Sequence, residues 1–190
     1  SGVYSTNYRH FYEYNSKENT LLKEFGTVMK ERNERAGVDS ISIVSFENNF
    51  PFTYKIKYGV TIKDAITKMD ENLYSVSIEN WFYHNASEIN SKSRSMDYYF
   101  SHLGRDVFKY FLVFDKDVKL MNAEKLKKYA STNYCYYSLE LTQINPKTIL
   151  VESAYQIKSV RVPLAETAKY DELYQKMKDA DNEPVIIKIL

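Results

Sequence analysis

The chain has 190 residues, 44% of them hydrophobic and 27% charged, which is enough for a well-buried core and unlike a disordered segment. Its 26 basic and 25 acidic residues leave a formal charge of +1, so no whole-molecule field gathers nucleic acid or anionic lipid. The single cysteine, Cys135, excludes an internal disulfide and a multi-cysteine zinc site, and no apolar run reaches the length of a membrane helix.

The chain opens on Ser1-Gly2-Val3, with neither Met nor a signal sequence, and reads as an engineered or processed end. From Tyr4 to Tyr14 rings alternate with polar residues, which predicts a strand. Asn15 is then expected to cap a helix, with Glu18 completing a capping box. Leu21, Leu22, Phe25, Val28 and Met29 supply its apolar stripe, and Gly37 its stop. Ser40 to Glu47 and Phe52 to Tyr58 predict a hairpin turning through Asn48-Asn49-Phe50-Pro51. Thr61 is read as the cap of a short helix carrying Ile62, Ile66, Met69 and Leu73 inward. A strand is expected from Tyr74 to about Tyr83, then a polar loop or weak helix from Asn85 to Ser95.

The unbroken apolar run Val107 to Phe114 predicts a central strand covered on both faces. Asn122 to Ala130 reads as a short helix. Tyr134 to Thr142, Thr148 to Ala154 and Ile157 to Val162 read as strands, with Asn145-Pro146 turning between the first two. A helix from about Ala165 to Lys178 and a strand from Val185 to Leu190 close the chain. Strand runs outnumber helices and short turns join many of them. The expectation is therefore an α+β fold, mostly an antiparallel twisted sheet with helices packed on its faces. Without repeats or a linker, residues 1–190 read as a single domain.

Tyrosine is abundant, at 18 residues beside 10 phenylalanines. AT-rich codons spell Tyr, Phe, Asn, Ile and Lys, so a phage, a virus or an AT-rich bacterium is an expected source. Tyrosine is also a contact residue, offering large amphipathic area at low entropic cost. Cys135, in Tyr134-Cys135-Tyr136-Tyr137, is expected to be buried and inert.

Three patterns carry candidate chemistry. Asp115 and Asp117 directly follow the apolar run, and two carboxylates at a strand end are able to share a hard divalent cation. Gln156 and Lys158 lie two positions apart, the spacing with which restriction-type nucleases bring metal and water to one strand face, given an upstream Asp such as Asp115 or Asp117. Tyr8, Arg9 and Tyr12 on the first expected strand, taken with Glu152 on a late one, follow the order in which ADP-ribosyltransferases hold a nicotinamide dinucleotide and polarise its ribose. None of the three is complete. No glycine-rich phosphate loop follows Asp117, and Leu150 stands where a helper acid or Gln is expected. His10, His84 and His102 lie at no ligand spacing. Lys55 and Lys57 point away from the rings of their own strand, which describes a half-buried strand and not a base-stacking platform.

The sequence therefore favours a non-catalytic interaction domain whose partner is another protein, not nucleic acid or a membrane, in a soluble, intracellular, cytoplasmic setting. The alternative is an enzyme acting on a nucleotide or nucleic acid, through Asp115 and Asp117 with a divalent metal or through Arg9 and Glu152 with NAD. Outside those alternatives no cofactor is implied.

Overall fold

The computed structural model describes residues 3–46, 54–78, 81–82, 84 and 86–190. Within the first nine residues, and at Arg32, Phe46 and Tyr54, the description is of the backbone alone. Two compact units divide the chain, residues 1–64 and 65–190, and the fold is α+β with antiparallel strand pairing throughout.

The first unit begins with helix α1 (Val3–Lys17), not the expected strand. Its rings recur at positions 4, 8 and 12, a four-residue spacing that suits a helix face as well as alternation suits a strand. Asn15 lies inside α1 instead of capping the next helix. Its amide donates to the Phe11 carbonyl at 2.8 Å and its Oδ1 accepts from Thr20 Oγ1 at 2.8 Å. Asn19, at φ 55°, takes the left-handed turn that Asn tolerates and that ends a helix. Helix α2 (Leu21–Arg32) follows. It stops at Asn33, whose side chain accepts the Arg35 N–H at 3.0 Å; Gly37 is already in a strand.

The hairpin is present as strands β1 (Ala36–Phe46) and β2 (Tyr54–Ile62), pairing antiparallel with Ile43 opposite Ile56. Its predicted turn, residues 48–51, lies outside the described residues. Tyr12, Leu21 and Phe25 form the buried centre of this unit, with Phe11, Met29, Val38, Ile41, Ile43 and Ile56 packed around them.

The expected helix from Thr61 does not form. Asp64, at φ 53°, turns the chain, and the next elements are strands β3 (Ile66–Lys68) and β4 (Leu73–Val76). The Met69 and Asp70 amides both donate to the Leu73 carbonyl, at 2.8 and 3.2 Å, closing a tight turn. Ile66 and Met69, expected inward, are exposed. Strand pairing with the far C-terminus decided this: Val76 lies opposite Val185 of strand β12 (Val185–Ile189). β4 also ends well short of Tyr83, so Phe82 and His84 are buried on irregular chain. In the polar segment after them the described residues are irregular apart from one 3₁₀ turn, Ser91–Ser93.

Strand β5 (Tyr98–Tyr99) pairs with β11 (Arg161–Val162). The largest sheet is built from β6 (Gly104–Val113), β8 (Lys128–Ser131), β9 (Cys135–Asn145) and β10 (Thr148–Ile157), in the order β6-β10-β9-β8. The second four-stranded sheet runs β3-β4-β12-β7, with β7 at Val118–Leu120. The helix expected over 122–130 is one turn, α3 (Ala123–Leu126), before the chain extends into β8. Helix α4 (Thr167–Asp181) buries Thr167, Tyr170, Leu173, Met177 and Ala180 at spacings of three and four, as its apolar stripe predicts.

The core of this unit joins Leu139, Ile149 and Val151 of the large sheet, Val185 and Ile187 of the second sheet, and Tyr170, Leu173 and Met177 of α4. β10 shows why. Ile149, Val151, Ser153, Tyr155 and Ile157 are buried in strict alternation with half-buried neighbours, so one sheet face is inner and the other outer. β6 corrects the expectation of a central strand: it is an edge strand, half-buried on one face and exposed on the other.

Candidate functional site

The acidic candidates do not converge. Glu152 lies opposite Lys109 in the β10–β6 ladder, and its carboxylate meets Lys109 Nζ at 2.5 Å. Asp115 is six residues beyond Lys109, roughly 20 Å along an extended chain. Asp115 and Asp117 are both exposed. Their backbone carbonyls accept from Lys147 Nζ and the Leu190 N–H, at 2.8 and 2.9 Å, so the pair sits in a solvated turn between the two large sheets. Gln156 lies opposite Arg105, at the other end of β6, about 30 Å from Asp115 along the strand. Lys158 Nζ donates to Ser131 Oγ at 2.8 Å and stands 5.8 Å from the centre of the Tyr136 ring. The nuclease-type arrangement therefore lacks its acid. Among the described residues, no group of three or more His, Cys, Asp or Glu is placed to hold a metal ion.

The dinucleotide arrangement loses its premise as well. Tyr8 and Arg9 belong to a helix, not an early strand, and their side chains lie outside the described residues. Tyr12 is buried in the core of the first unit, edge-on to Phe11 at 5.3 Å, and is not available to a ligand.

Two features replace these candidates, and the first is the outer face of the β6-β10-β9-β8 sheet. Val107, Phe111 and Val113 of β6 are 46%, 60% and 73% exposed, and Tyr129 of β8 is 70% exposed. Directly opposite residues share a face, which adds Leu150 and Ala154 of β10 to this surface. Tyr129 meets Tyr136 edge-on at 5.4 Å. Across the middle runs Lys109–Glu152–Glu140–Lys127. The two glutamates are opposite one another, and each is compensated by the lysine on its outer side, at 2.5 and 3.2 Å. The sequence does carry this surface, as the alternate residues of the Val107–Phe114 run, but an unbroken apolar run reads equally as a strand covered on both sides.

The second feature is a buried polar cluster. His84 Nε2 lies 2.7 Å from Ser153 Oγ, with the His84 ring among Phe82, Phe108, Tyr137 and Tyr155. Burial holds His84 down to about 4, so the ring is neutral at pH 7. Among the described residues its Nδ1 has no hydrogen-bond partner, a deficit that costs about 1–3 kcal/mol. Tyr137, edge-on to the His84 ring at 5.9 Å, donates to Asp181 Oδ1 at 2.8 Å. Burial pushes Asp181 up to about 7, while the Tyr137 bond pulls it back. Burial likewise raises the Tyr137 phenol, so it stays protonated.

A parallel chain runs beside it. Tyr155 Oη lies 3.6 Å from Cys135 Sγ and 3.3 Å from Tyr170 Oη, and Tyr170 donates to the Ser87 carbonyl at 2.9 Å. Cys135 is buried as expected, and burial pushes its thiol up to about 11, which leaves it a poor nucleophile.

A serine beside a histidine suggests a nucleophile and its base, but this pair does not meet the requirements. Ser153 is 0% exposed, so a substrate carbonyl has no approach to Oγ. Among the described residues no carboxylate holds Nδ1, the atom an orienting group would bond. What the cluster does is tie β9 and β10 to α4 and to the irregular segment around His84. Its members are scattered in sequence over positions 84, 137, 153 and 181 with no shared motif, and only an odd serine at an inward position of β10 hinted at a buried partner.

No known family model matches the chain, and no curated protein matches it. Among solved structures, a crystal structure described as "a putative protease from Parabacteroides distasonis ATCC 8503" aligns over 63% of this chain with 13% identity and a TM-score of 0.44. The aligned part spans 24% of that protein. At that depth the likeness bears on neither fold nor activity.

Proposed function

We propose that the chain is a non-catalytic protein-binding domain whose contact surface is the outer face of the β6-β10-β9-β8 sheet. The observation that carries this reading is the exposure of Val107, Phe111, Val113 and Tyr129 together on that face. A sheet face left to water ordinarily alternates to polar residues, and exposed apolar residues gathered on one face mark contact sites. Three inter-strand spacings and the length of β6 give a face on the order of 500 Å². That is below the roughly 800 Å² each partner contributes to a standard complex, which suits a transient contact.

The charge pattern favours a protein over a nucleic acid. Lys109 and Lys127 already face Glu152 and Glu140, so these lysines are not free to displace counterions from a phosphate backbone. Here Val107 and Tyr129 on one side and Phe111 and Val113 on the other flank a row of paired charges, and aromatic and apolar groups mixed with compensated charges suit a protein interface.

The test compares wild type with the double variant Phe111→Ser/Val113→Ser. Proteins captured by each are quantified by mass spectrometry, and each candidate is then purified and titrated by calorimetry. The reading expects a purified partner that binds wild type and binds the variant at least tenfold more weakly. Equal binding by both chains, or capture that no purified partner reproduces, would overturn it.

A further inference from the structure

We propose that strand β6 pairs with β6 of a second copy of this chain, antiparallel about a twofold axis, with Lys109 of each copy opposite Phe111 of the other. The contact is the open edge of the β6-β10-β9-β8 sheet, and it does not depend on what the outer face binds.

The backbone supplies the first argument. The Phe114 N–H donates to the Lys147 carbonyl at 2.9 Å, continuing the β6–β10 ladder beyond Val113 and Thr148. Bonding alternates along an antiparallel pair, so the even-numbered residues of β6 bond β10. Arg105, Val107, Lys109, Phe111 and Val113 therefore turn their N–H and C=O groups away from it. Among the described residues no backbone group pairs with them. β6 is ten residues long, holds no proline, and runs without a register shift. An edge strand left to water is ordinarily short, bulged or broken by proline, and β8, at the opposite edge, has four residues. Lys109, a charge of the kind that guards an edge, is bound by Glu152.

Side chains then select the occupant and the register. The outward residues of β6 are the same five, all exposed. A twofold pairing in which Lys109 faces Lys109 sets two ammonium groups directly opposite, which is unfavourable. One in which Phe108 faces Phe108 places Arg105 against Phe111 and leaves the charges at both ends unmatched. With Tyr110 facing Tyr110, Val107 meets Val113, Lys109 lies over the Phe111 ring, and Arg105 stands across from Asp115 of the other copy. The axis repeats each of these pairs. Arg105 and Asp115 are exposed, and among the described residues neither is in an ion pair. The edge is thus complementary to itself in charge as well as in apolar pattern.

Pairing also covers what β6 leaves half in water. Phe108, Tyr110 and Leu112 point to the core but are only half-buried, because β6 has no neighbour on that side among the described strands. In the same register Phe108 faces Leu112, and the inward rings of the two copies close over one another. Two four-stranded sheets become one, joined by roughly eight N–H···O bonds. Val107, Phe111 and Val113 of both copies then gather on one outer surface. One strand's length of contact is at the small end of specific interfaces, so the dimer is a weak one that concentration controls.

The test is sedimentation equilibrium of the full chain from about 5 µM to about 500 µM, with amide hydrogen exchange measured at both ends of that range. Wild type is expected to pass from monomer to dimer. The N–H groups of Val107, Lys109 and Phe111 are expected to exchange roughly tenfold more slowly at high concentration, while those of Phe108 and Tyr110, already bonded to β10, change little. Arg105→Asp is expected to weaken the dimer by about tenfold, and Arg105→Asp/Asp115→Arg to restore it, because the swap rebuilds the pair across the axis. Val107→Pro, which keeps every bond to β10, is expected to stay monomeric. These variants leave Phe111 and Val113 in place, so self-association and partner binding by the outer face are read separately. The proposal is overturned by a monomer at every concentration, by a dimer that Val107→Pro leaves intact, or by a charge swap that restores nothing. Slowing of the edge only when an extended segment of another protein is added overturns it too. Wild-type exchange decides the matter even if no variant folds.

Discussion

The Tyr137 hydroxyl reaches Asp181 Oδ1 at 2.8 Å, fastening the start of β9 to the last residue of α4. Asp181 and His84 both lie beside Tyr137, and burial moves them in opposite directions, up to about 7 and down to about 4. Their contributions to stability therefore oppose one another. The folded state holds the Asp181 proton more tightly than an unfolded Asp at about 3.9. Its contribution is full below that value and is lost as pH rises to about 7, at about 1.4 kcal/mol per pH unit. His84 acts the other way. An unfolded His protonates at about 6.5, so its penalty appears as pH falls from there to about 4. Urea unfolding, read by the fluorescence of the sole tryptophan, Trp81, checks the sum. Relative to wild type, Asp181→Asn should gain stability steadily from about pH 4 to about pH 7, by a few kcal/mol in total. A difference that stays flat over that interval would show Asp181 titrating as an ordinary carboxylate.

Ser153→Ala removes the one hydrogen-bond partner that the described residues give a buried imidazole, whose other nitrogen has none among them. The expected cost is about 1–3 kcal/mol, out of proportion to a single oxygen atom. His84→Phe, which removes the polar ring together with its needs, should cost less in the Ser153→Ala background than in wild type. Denaturation of the four chains forms the double-mutant cycle that measures this coupling.

Asp171 holds the segment after His84. Its carboxylate accepts the Ser91 and Ile89 N–H groups at 2.6 and 3.3 Å. Arg94 Nε donates to the Ile89 carbonyl at 2.7 Å, with its guanidinium 4.7 Å from the centre of the Tyr98 ring. Asp171→Ala should speed amide hydrogen exchange at Ile89 and Ser91 by roughly tenfold or more while leaving β9 and β10 protected, because local opening follows local hydrogen bonding. Equal exchange in both chains would place the anchor elsewhere.

The outer sheet face should be nearly silent in stability. Phe111→Ser and Val113→Ser remove side chains already mostly in water, and Glu152→Ala removes one member of an exposed pair. Each should shift unfolding by no more than about 0.5–1 kcal/mol. Leu139→Ala, at a fully buried position of the same sheet, should cost about 2–5 kcal/mol. A large loss at Phe111 would mean that the face is part of a core.

Read alone, the sequence determined what local periodicity and turn chemistry are able to determine. The β1–β2 hairpin, the β9–β10 pair about Asn145-Pro146, α4 with its buried Leu173, Met177 and Ala180, the closing strand and the buried Cys135 were all legible, because neighbours in the chain define them. Tertiary structure decided the rest. Residues 4–14 satisfy both the strand and the helix period, and helix won. Ile62, Ile66, Met69 and Leu73 have helical spacing, yet their segment became β3 and β4, because β12, more than a hundred residues later, supplies a hydrogen-bonding edge. Val107 to Phe114 is apolar on both faces, and only the strand order made one of them outer. Gln156 faces Arg105 instead of Asp115 for the same reason: ladder register, not sequence spacing, sets which side chains meet. His84, Ser153, Tyr137 and Asp181 come together because three elements and an irregular segment share one core, and residues so far apart leave no mark in the sequence that a local period can show.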